Sequence, residues 1–322
     1  MALDPEIVEK IERLEEKYAA MGQDLKSYLD GLLYADYLTY WDYIHVDTLL
    51  SLQNPRTPIP DEEIFIIYHQ ITELYFKLSL HEMKQLSAAE NLTAEELLMR
   101  MQRINRYFEA LTQSFEIMVQ GMDQKQFLQF RMSLLPASGF QSAQYRTIEI
   151  LATDFHNLVE KDERSRFPGR GTPERVSEMY NYLYWKKGAT ELSTGKKTLT
   201  LRQFEEKYSQ SFIQHGEQYF DTNLWRCFVG LNPEDQQQEK LRNAFRAFDV
   251  NVNVNWPLAH YKSAVRYLQK DPIDIAATGG TNWQKYLPPR FQKRIFYPQL
   301  WTEKEMDNWG KGWVKKAVFN QD

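Results

Sequence analysis

The stretch IFIIYHQITELYFKLSLHEM, residues 64–83, decides the fold because its apolar residues recur at the spacing of an α-helix. Acidic residues at 61–63 precede it and favour a helix N-terminus, so the pattern predicts one helix of about 28 residues. We expect the side of this helix that packs into the core to consist of Ile64, Ile67, Ile71, Leu74 and Leu78. His81 and Glu82 are interpreted as structural polar residues that support the helix.

Helical patterns also dominate the rest of the chain. They cover residues 6–21, 94–120 and 141–160 and, in two pieces broken around 251–257, residues 235–270. Strand patterns are almost absent, so the sequence predicts an all-α fold. We expect a single helical-bundle domain over residues 1–322, with an N-terminal helix or arm at about 1–35 and a small helical insertion at about 165–230.

Composition excludes several classes of protein. The 322 residues carry a formal charge of −5 and no Lys/Arg-rich run, which gives no support for nucleic-acid binding. The single cysteine, Cys227, excludes an intrachain disulfide and a Cys-only zinc or iron–sulfur site, and it is typical of a reducing compartment. Because we find neither a signal-peptide pattern nor the ~20 apolar residues of a membrane span, we expect a cytoplasmic location and no membrane partner.

The six histidines form none of the common non-heme metal motifs. His81-Glu82 begins like HExxH, but Gln85 stands where the second histidine belongs. No histidine has a glutamate three residues before it, as the helices of a ferritin-like di-iron site require. Heme needs only one axial ligand in a large apolar slot, and 18 Phe, 19 Tyr and 8 Trp allow such a slot. From the residues alone, any of the six histidines or Cys227 is a candidate ligand.

Two further features have a structural and a functional interpretation. Arg131 is one charge in the apolar stretch FLQFRMSLLPASGF, where it either forms a structural pair or grips a carboxylate with its guanidinium fork. The segment TGGT, residues 278–281, is either a surface turn or a mobile loop that closes over a polar ligand.

Four patches, in chain order, resemble the tryptophan 2,3-dioxygenase family. They are YWDYIHVDTLLSLQ (40–53), FIIYHQITELYFKLSLHEM (65–83), FRMSLLPASGFQSAQYRTIE (130–149), and the pair HYKSAVRYL (260–268) and ATGGTNWQKYL (277–287). Each patch alone is moderately specific, whereas the four in order are strongly so. The resemblance is weakest over the first 30 residues and across about 160–250.

The resemblance implies a helical bundle that encloses heme b, one per subunit, and a homotetramer. The implied reaction inserts both atoms of O2 into the indole C2–C3 bond of L-tryptophan, giving N-formylkynurenine, the first step of tryptophan degradation by the kynurenine pathway. His260 corresponds to the axial ligand of the heme iron, and His69 lies on the distal side near O2 and the indole N–H. Ser138 and Gly139 lie near the heme edge.

The same resemblance implies a substrate pocket. Phe65, one helical turn before His69, presses on the indole ring, while Arg131 and Thr278 bind the amino-acid end. Phe127, four residues before Arg131, lines the same pocket, and Tyr40, Tyr43 and Ile44 complete it from a neighbouring subunit. The full set of implied substrate-binding residues is Phe65, Ile66, Ile67, Tyr68, His69, Phe127, Arg131, Thr278, Tyr40, Tyr43 and Ile44.

Two other functions compete with this hypothesis. One is a related heme-dependent oxygenase that hydroxylates another indole or a tyrosine derivative, because the amino-acid clamp does not identify the ring. The other is a helical protein without catalysis. The joint presence of His69, Arg131, His260 and Thr278 disfavours the last, since a structural protein needs no such set.

Overall fold

The structure is a computed structural model that describes residues 3–135, 137–190, 196–269, 288–289 and 293–311. Helices account for the regular structure of this part of the chain, in which the only β-pairing consists of two isolated bridges. The predicted all-α fold is confirmed. Among the described residues, no helix is both long and apolar enough to cross a membrane.

The chain divides into two compact units, Met1–Asn54 and Pro55–Asp322. The division of the sequence into arm, single domain and insertion stays a prediction. In the first unit, Asp4 and Asp24 cap two helices by accepting hydrogen bonds from backbone amides of the first turn. The helices of this unit are α1 (Pro5–Ala20), α2 (Leu25–Leu33), α3 (Tyr40–Tyr43) and α4 (Val46–Leu50).

The second unit holds the large apolar core. Its α-helices, within the described residues, are α5 (Asp61–Ala88), α6 (Ala94–Ser114), α7 (Glu116–Gln120), α8 (Gln124–Phe130), α9 (Ala143–Ala152), α10 (Val176–Tyr180), α11 (Tyr184–Gly188), α12 (Leu199–Gln218), α13 (Leu224–Val229), α14 (Pro233–Gln236), α15 (Glu239–Val250), α16 (Trp256–Leu268) and α17 (Glu303–Asp307). The longest, α5, packs against α6 and α9, and α15 packs against α6.

Helix α5 has the predicted length of 28 residues, but the prediction of its core face is wrong for three of its five residues, while Ile64 packs against the core and Ile71 is half-buried. Ile67, Leu74 and Leu78 are 40%, 48% and 45% exposed. The helix has apolar residues on two sides, and the side that carries the aromatic rings is the buried one. The buried apolar residues of α5 are Tyr68, Phe76, Leu80, Met83 and Leu86.

The buried side of α5 also carries polar groups that find partners. Glu82 accepts hydrogen bonds from Arg100 at 2.8 Å and from Arg103 at 3.3 Å, so its carboxylate joins α5 to α6. Glu62 accepts from the amides of Arg56 and Thr57 at 2.9 and 2.8 Å and ties the preceding loop to the start of the helix. These pairings offset the cost of burying a charge. His81, by contrast, lies at the surface.

The predicted break around residues 251–257 is not a break. Helix α15 continues into a π-helical turn, Asn251–Asn255, and directly from there into α16. Such turns insert one extra residue into a helix. The backbone therefore stays helical from residue 239 to residue 268, and the departure from α geometry is confined to the five residues of the turn.

Candidate active site

His69 lies on α5 one turn after Phe65. Its Nδ1 is 2.7 Å from the carbonyl oxygen of Phe65, and the two rings lie 4.1 Å apart. Because a carbonyl oxygen only accepts, Nδ1 carries the proton and donates it, which leaves the lone pair on Nε2.

His260 on α16 has the same arrangement. Its Nδ1 donates to the carbonyl oxygen of Trp256 at 3.0 Å, so its lone pair is also on Nε2. The rings of Trp256 and Phe115 flank the imidazole, with centroids 4.3 and 4.5 Å away. This packing fixes the orientation of the ring from two sides.

Both imidazoles are neutral at neutral pH. Burial lowers the pKa of His260 to about 4, and the charge of a protonated His69 adds to the lowering. Burial likewise lowers the pKa of His69. Each residue nevertheless keeps some accessible surface.

Aromatic side chains form a wall beside His69. The ring of Phe65 lies 5.7 Å from that of Phe130 and 6.5 Å from that of Phe127, and the last two meet edge to face at 5.6 Å. Phe127 also contacts Tyr267 of α16, with centroids 4.7 Å apart. The wall therefore joins α5, α8 and α16.

Two of the predicted pocket residues on α5 face elsewhere. Tyr68 is buried in the core, where its hydroxyl donates to the carbonyl oxygen of Leu111 at 3.2 Å and lies 3.1 Å from the Ser114 hydroxyl. Ile67 is exposed, and Ile66 is half-buried. Of the α5 residues, Phe65 and His69 are the pair that the helix brings together.

Arg131 follows α8 and begins a short 3-10 helix, Arg131–Leu134. It is 5% exposed, and burial lowers the pKa of its guanidinium. The group stays cationic because an arginine begins from a pKa above 12. Because Arg131 lies one turn after Phe127, a buried cation adjoins α8, the helix that carries Phe127 and Phe130 of the aromatic wall.

Ser138 and Gly139 begin another short 3-10 helix, Gly139–Gln141. Ser138 donates its backbone N–H to the Gln141 side chain at 3.1 Å and caps this turn. A Cβ added at Gly139 would meet no atom of the described residues within 4 Å, so these residues leave open space beside it.

The remaining predicted residues belong to the first unit or are outside the described residues. Tyr40, Tyr43 and Ile44 belong to α3 and its C-terminus in the first unit, where all three are exposed. Thr278 lies outside the described residues.

Sequence reasoning missed the residues that support the histidines. Trp256 could have been found, because it lies four residues before His260 and a helix places it one turn away. Phe130 could also have been found from its place between Phe127 and Arg131. Phe115 is far from His260 in sequence, so only the folded chain reveals that contact.

These residues fit a heme. An iron that keeps its sixth position open for a ligand needs a neutral imidazole whose outer nitrogen bears the lone pair, and His260 has this form. The ring system needs apolar walls, which the phenylalanines supply, and room at its edge, which Gly139 leaves. The fit rests on donor chemistry and on space.

Comparisons with known proteins agree with this chemistry. A family model described as tryptophan 2,3-dioxygenase matches residues 31–169. A tryptophan 2,3-dioxygenase of Ruegeria sp. (strain TM1040) is 42% identical over 279 residues, which cover 84% of this chain and 92% of that protein. Shorter matches include proteins of the same description from Polaromonas naphthalenivorans, 36% identical over 41% of this chain and 46% of that protein, and Bordetella pertussis, 35% identical over 41% and 45%.

Proposed function

Because this chain belongs to the tryptophan 2,3-dioxygenase family, we propose that it is a heme-dependent enzyme that inserts O2 across the indole C2–C3 bond of L-tryptophan to give N-formylkynurenine. The observation that carries this proposal is the pair of neutral, desolvated histidines. Each donates Nδ1–H to a carbonyl four residues earlier and keeps its lone pair on Nε2.

In the proposed site, His260 holds heme b through Nε2. When bound, ferrous heme supplies the oxygen chemistry, and the protein supplies orientation and a dry cavity. The hydrogen bond to Trp256 fixes the tautomer of His260, and the flanking rings of Trp256 and Phe115 fix its direction. Ser138 and Gly139 are proposed to lie at the edge of the heme.

On the opposite side, His69 is the proposed catalytic residue. Its Nε2 lone pair can accept the hydrogen bond of an indole N–H, because Nδ1 already donates to Phe65. Phe65 and Phe127 are proposed to hold the indole between apolar surfaces, with Ile66 close by. Ile67 and Tyr68, which follow Ile66 in the same turn of α5, complete the proposed set; Ile67 is exposed, and the Tyr68 hydroxyl donates to a carbonyl in the core.

Arg131 is the proposed partner of the substrate carboxylate. A buried guanidinium beside an aromatic wall suits an amino acid whose ring is apolar and whose other end is charged. Thr278 is proposed to bind the ammonium and carboxylate end.

We further propose a cytoplasmic homotetramer, in which Tyr40, Tyr43 and Ile44 complete the pocket of a neighbouring subunit. Two observations favour assembly. The apolar stripe of Ile67, Leu74 and Leu78 on α5 is exposed, and α1 likewise exposes apolar residues. Exposed apolar patches of this kind are typical of protein–protein contacts. The single cysteine supports the reducing compartment.

The test combines cofactor content with turnover. Purified full-length protein should show the Soret absorption of heme, and the reduced enzyme should convert L-tryptophan and O2 to N-formylkynurenine. A matched control replaces His69 with Gln, which should keep the Soret band and slow turnover. Heme binding without tryptophan turnover, combined with hydroxylation of another indole or a tyrosine derivative, would overturn the substrate assignment. Absence of heme would overturn the cofactor.

A further inference from the structure

The π turn Asn251–Asn255 precedes the helix that carries His260, and its sequence explains why it forms. Asparagine and valine, which alternate as NVNVN, are both weak helix formers. Pro257, at the second position of α16, has no N–H to donate to the carbonyl of Asn253, as an α-helix requires. The local sequence thus weakens the α-helix and removes one of its hydrogen bonds. Contacts with other parts of the chain then decide whether an α turn or a π turn forms.

The π turn determines where His260 points. An α-helix turns by about 100° per residue, so closing the same residues as an ordinary α turn would rotate α16 by roughly that angle relative to α15. His260 would then lose its contact with Phe115, which lies on one side of its ring. Contacts that hold the turn in π geometry therefore determine the direction in which the His260 imidazole points.

Asp249, in the last turn of α15, is at the centre of these contacts. It is completely buried and accepts a hydrogen bond from the side-chain amide of Asn253 at 2.7 Å, across the π turn. It also accepts from the backbone amides of Phe296 and Tyr297 at 2.9 and 3.2 Å, and from the indole N–H of Trp301 at 3.0 Å. One carboxylate thus binds the turn to a segment more than forty residues later in the chain.

That segment, residues 293–301, holds the turn from a second direction. Arg294 donates its Nε–H to the side-chain oxygen of Asn253, so this amide lies between Asp249 and Arg294. The carbonyl oxygen of Phe296 accepts from the Thr153 hydroxyl at 2.6 Å, which anchors the segment to the end of α9.

The outer side of the turn is covered as well. Val254 and Leu258 form a small apolar cluster with Trp309, with Ile295 and Trp301 packed against it. Leu258 is two residues before His260. This cluster, with Ile295, Trp301 and Trp309, therefore supports both the π turn and the start of α16.

We propose that Asp249 is a positioning residue that, through Asn253 and the segment 293–301, holds the π turn in the geometry that places His260 against Phe115 in the candidate site. The proposal rests on the proposed function in one respect, that His260 binds the heme iron. Asp249 acts through other residues and does not itself touch the cofactor.

The experiment compares Asp249→Asn and Asn253→Ala with Glu205→Gln. The last is a matched control, because Glu205 is a largely buried carboxylate that pairs with Lys186 and Lys197 at 2.8 and 2.7 Å and makes no contact with the π turn. Two readouts are taken from the full chain. One is hydrogen–deuterium exchange of residues 250–262 in the heme-free protein, and the other is the iron–histidine stretching band of the reduced, heme-loaded protein.

We expect both test variants to exchange faster at residues 250–262 and to shift or broaden the iron–histidine band, while Glu205→Gln changes neither. Should Asp249→Asn fail to fold, Trp301→Phe decides, since it removes one donor to Asp249 and keeps the ring. An unchanged band with exchange equal to that of the control overturns the proposal, even if the variant melts at lower temperature. If the unaltered protein binds no heme, the proposed function fails, and the exchange readout alone still decides the role of Asp249.

Discussion

His260 donates Nδ1–H to the carbonyl oxygen of Trp256 at 3.0 Å while the indole of Trp256 stands edge-on to the imidazole. One residue therefore fixes both the tautomer and the plane of the histidine. His69 and Phe65 repeat the relationship on α5, with 2.7 Å between Nδ1 and the carbonyl oxygen. The two helices thus present two imidazoles in the same protonation state, each with Nε2 as its basic nitrogen.

Replacing His260 with Ala should abolish heme binding, because it removes the imidazole whose Nε2 lone pair is proposed to hold the iron. The measurement is heme absorbance per chain after reconstitution. His69→Ala is the matched control, since it removes an equally desolvated imidazole and should leave the heme content close to normal. Equal heme content in the His260 variant and the unaltered protein would contradict the assignment.

Replacing Arg131 with Ala should raise KM for L-tryptophan, with a loss on the order of 2 to 4 kcal/mol in kcat/KM, because a buried charge pair is broken. Arg131→Lys keeps the charge and loses the fork, so it should recover only part of the effect. Steady-state kinetics measure both variants. A near-neutral result for Arg131→Ala would show that the residue has a structural role.

Alanine substitutions at Phe127 and Phe130 should differ in their effects, the first acting mainly on KM and the second mainly on the free energy of unfolding. Phe130 is fully buried, so Phe130→Ala should reduce the free energy of unfolding by about 3 to 5 kcal/mol. Phe127 is only partly buried and faces Phe65, so Phe127→Ala should cost less stability and mainly raise KM. Urea denaturation and kinetics on the two variants give the comparison. The reverse order of effects would argue against Phe127 as part of the pocket.

Because of Asp249, the free energy of unfolding should depend on pH, with a contribution from this residue that decreases as pH rises. Burial raises its pKa from 3.8 to about 6, so between these values the folded state binds the proton more tightly than the unfolded state. The free energy of unfolding should therefore lose about 3 kcal/mol from this group as pH rises through that window. The difference between the unaltered protein and Asp249→Asn, measured by urea denaturation over that range, should fall accordingly.

Glu205 supplies the control of opposite sign. Burial raises the pKa of its carboxyl, but the hydrogen bonds from Lys186 and Lys197 outweigh burial and hold it below its usual range. Its stabilising contribution is present above the pKa of the unfolded state and is lost as pH falls. The difference between the unaltered protein and Glu205→Gln should therefore increase with pH. Two slopes of the same sign would contradict this account of Asp249.

The sequence predicts the helices better than their orientation. Spacing and acidic residues at the N-terminus are local, and they gave α5 its correct length. Which of its two apolar sides is buried depends on contacts with α6 and α9, which spacing does not contain, and the prediction chose Ile67 and Leu74 over Tyr68 and Phe76. The π turn was not predicted for the same reason. The residues NVNVN indicate a weak helix, but they do not show that Asp249 and residues 293–301 hold the turn together.

The candidate site divides in the same way. Phe65 lies one helical turn before His69, and Phe127 lies one turn before Arg131, so helical spacing places the members of each pair side by side. The contact of Phe65 with Phe127 joins two helices, and the contact of Phe115 with His260 joins residues far apart in the sequence. Local pattern contains no information about such contacts, and resemblance to a known family supplied the heme.

The most direct test of the central claim is the fate of isotopically labelled O2 during turnover of L-tryptophan. Both labelled oxygen atoms should appear in one molecule of N-formylkynurenine, as mass spectrometry of the product would show. A product that contains a single labelled atom, as a hydroxylated indole would, contradicts the central claim.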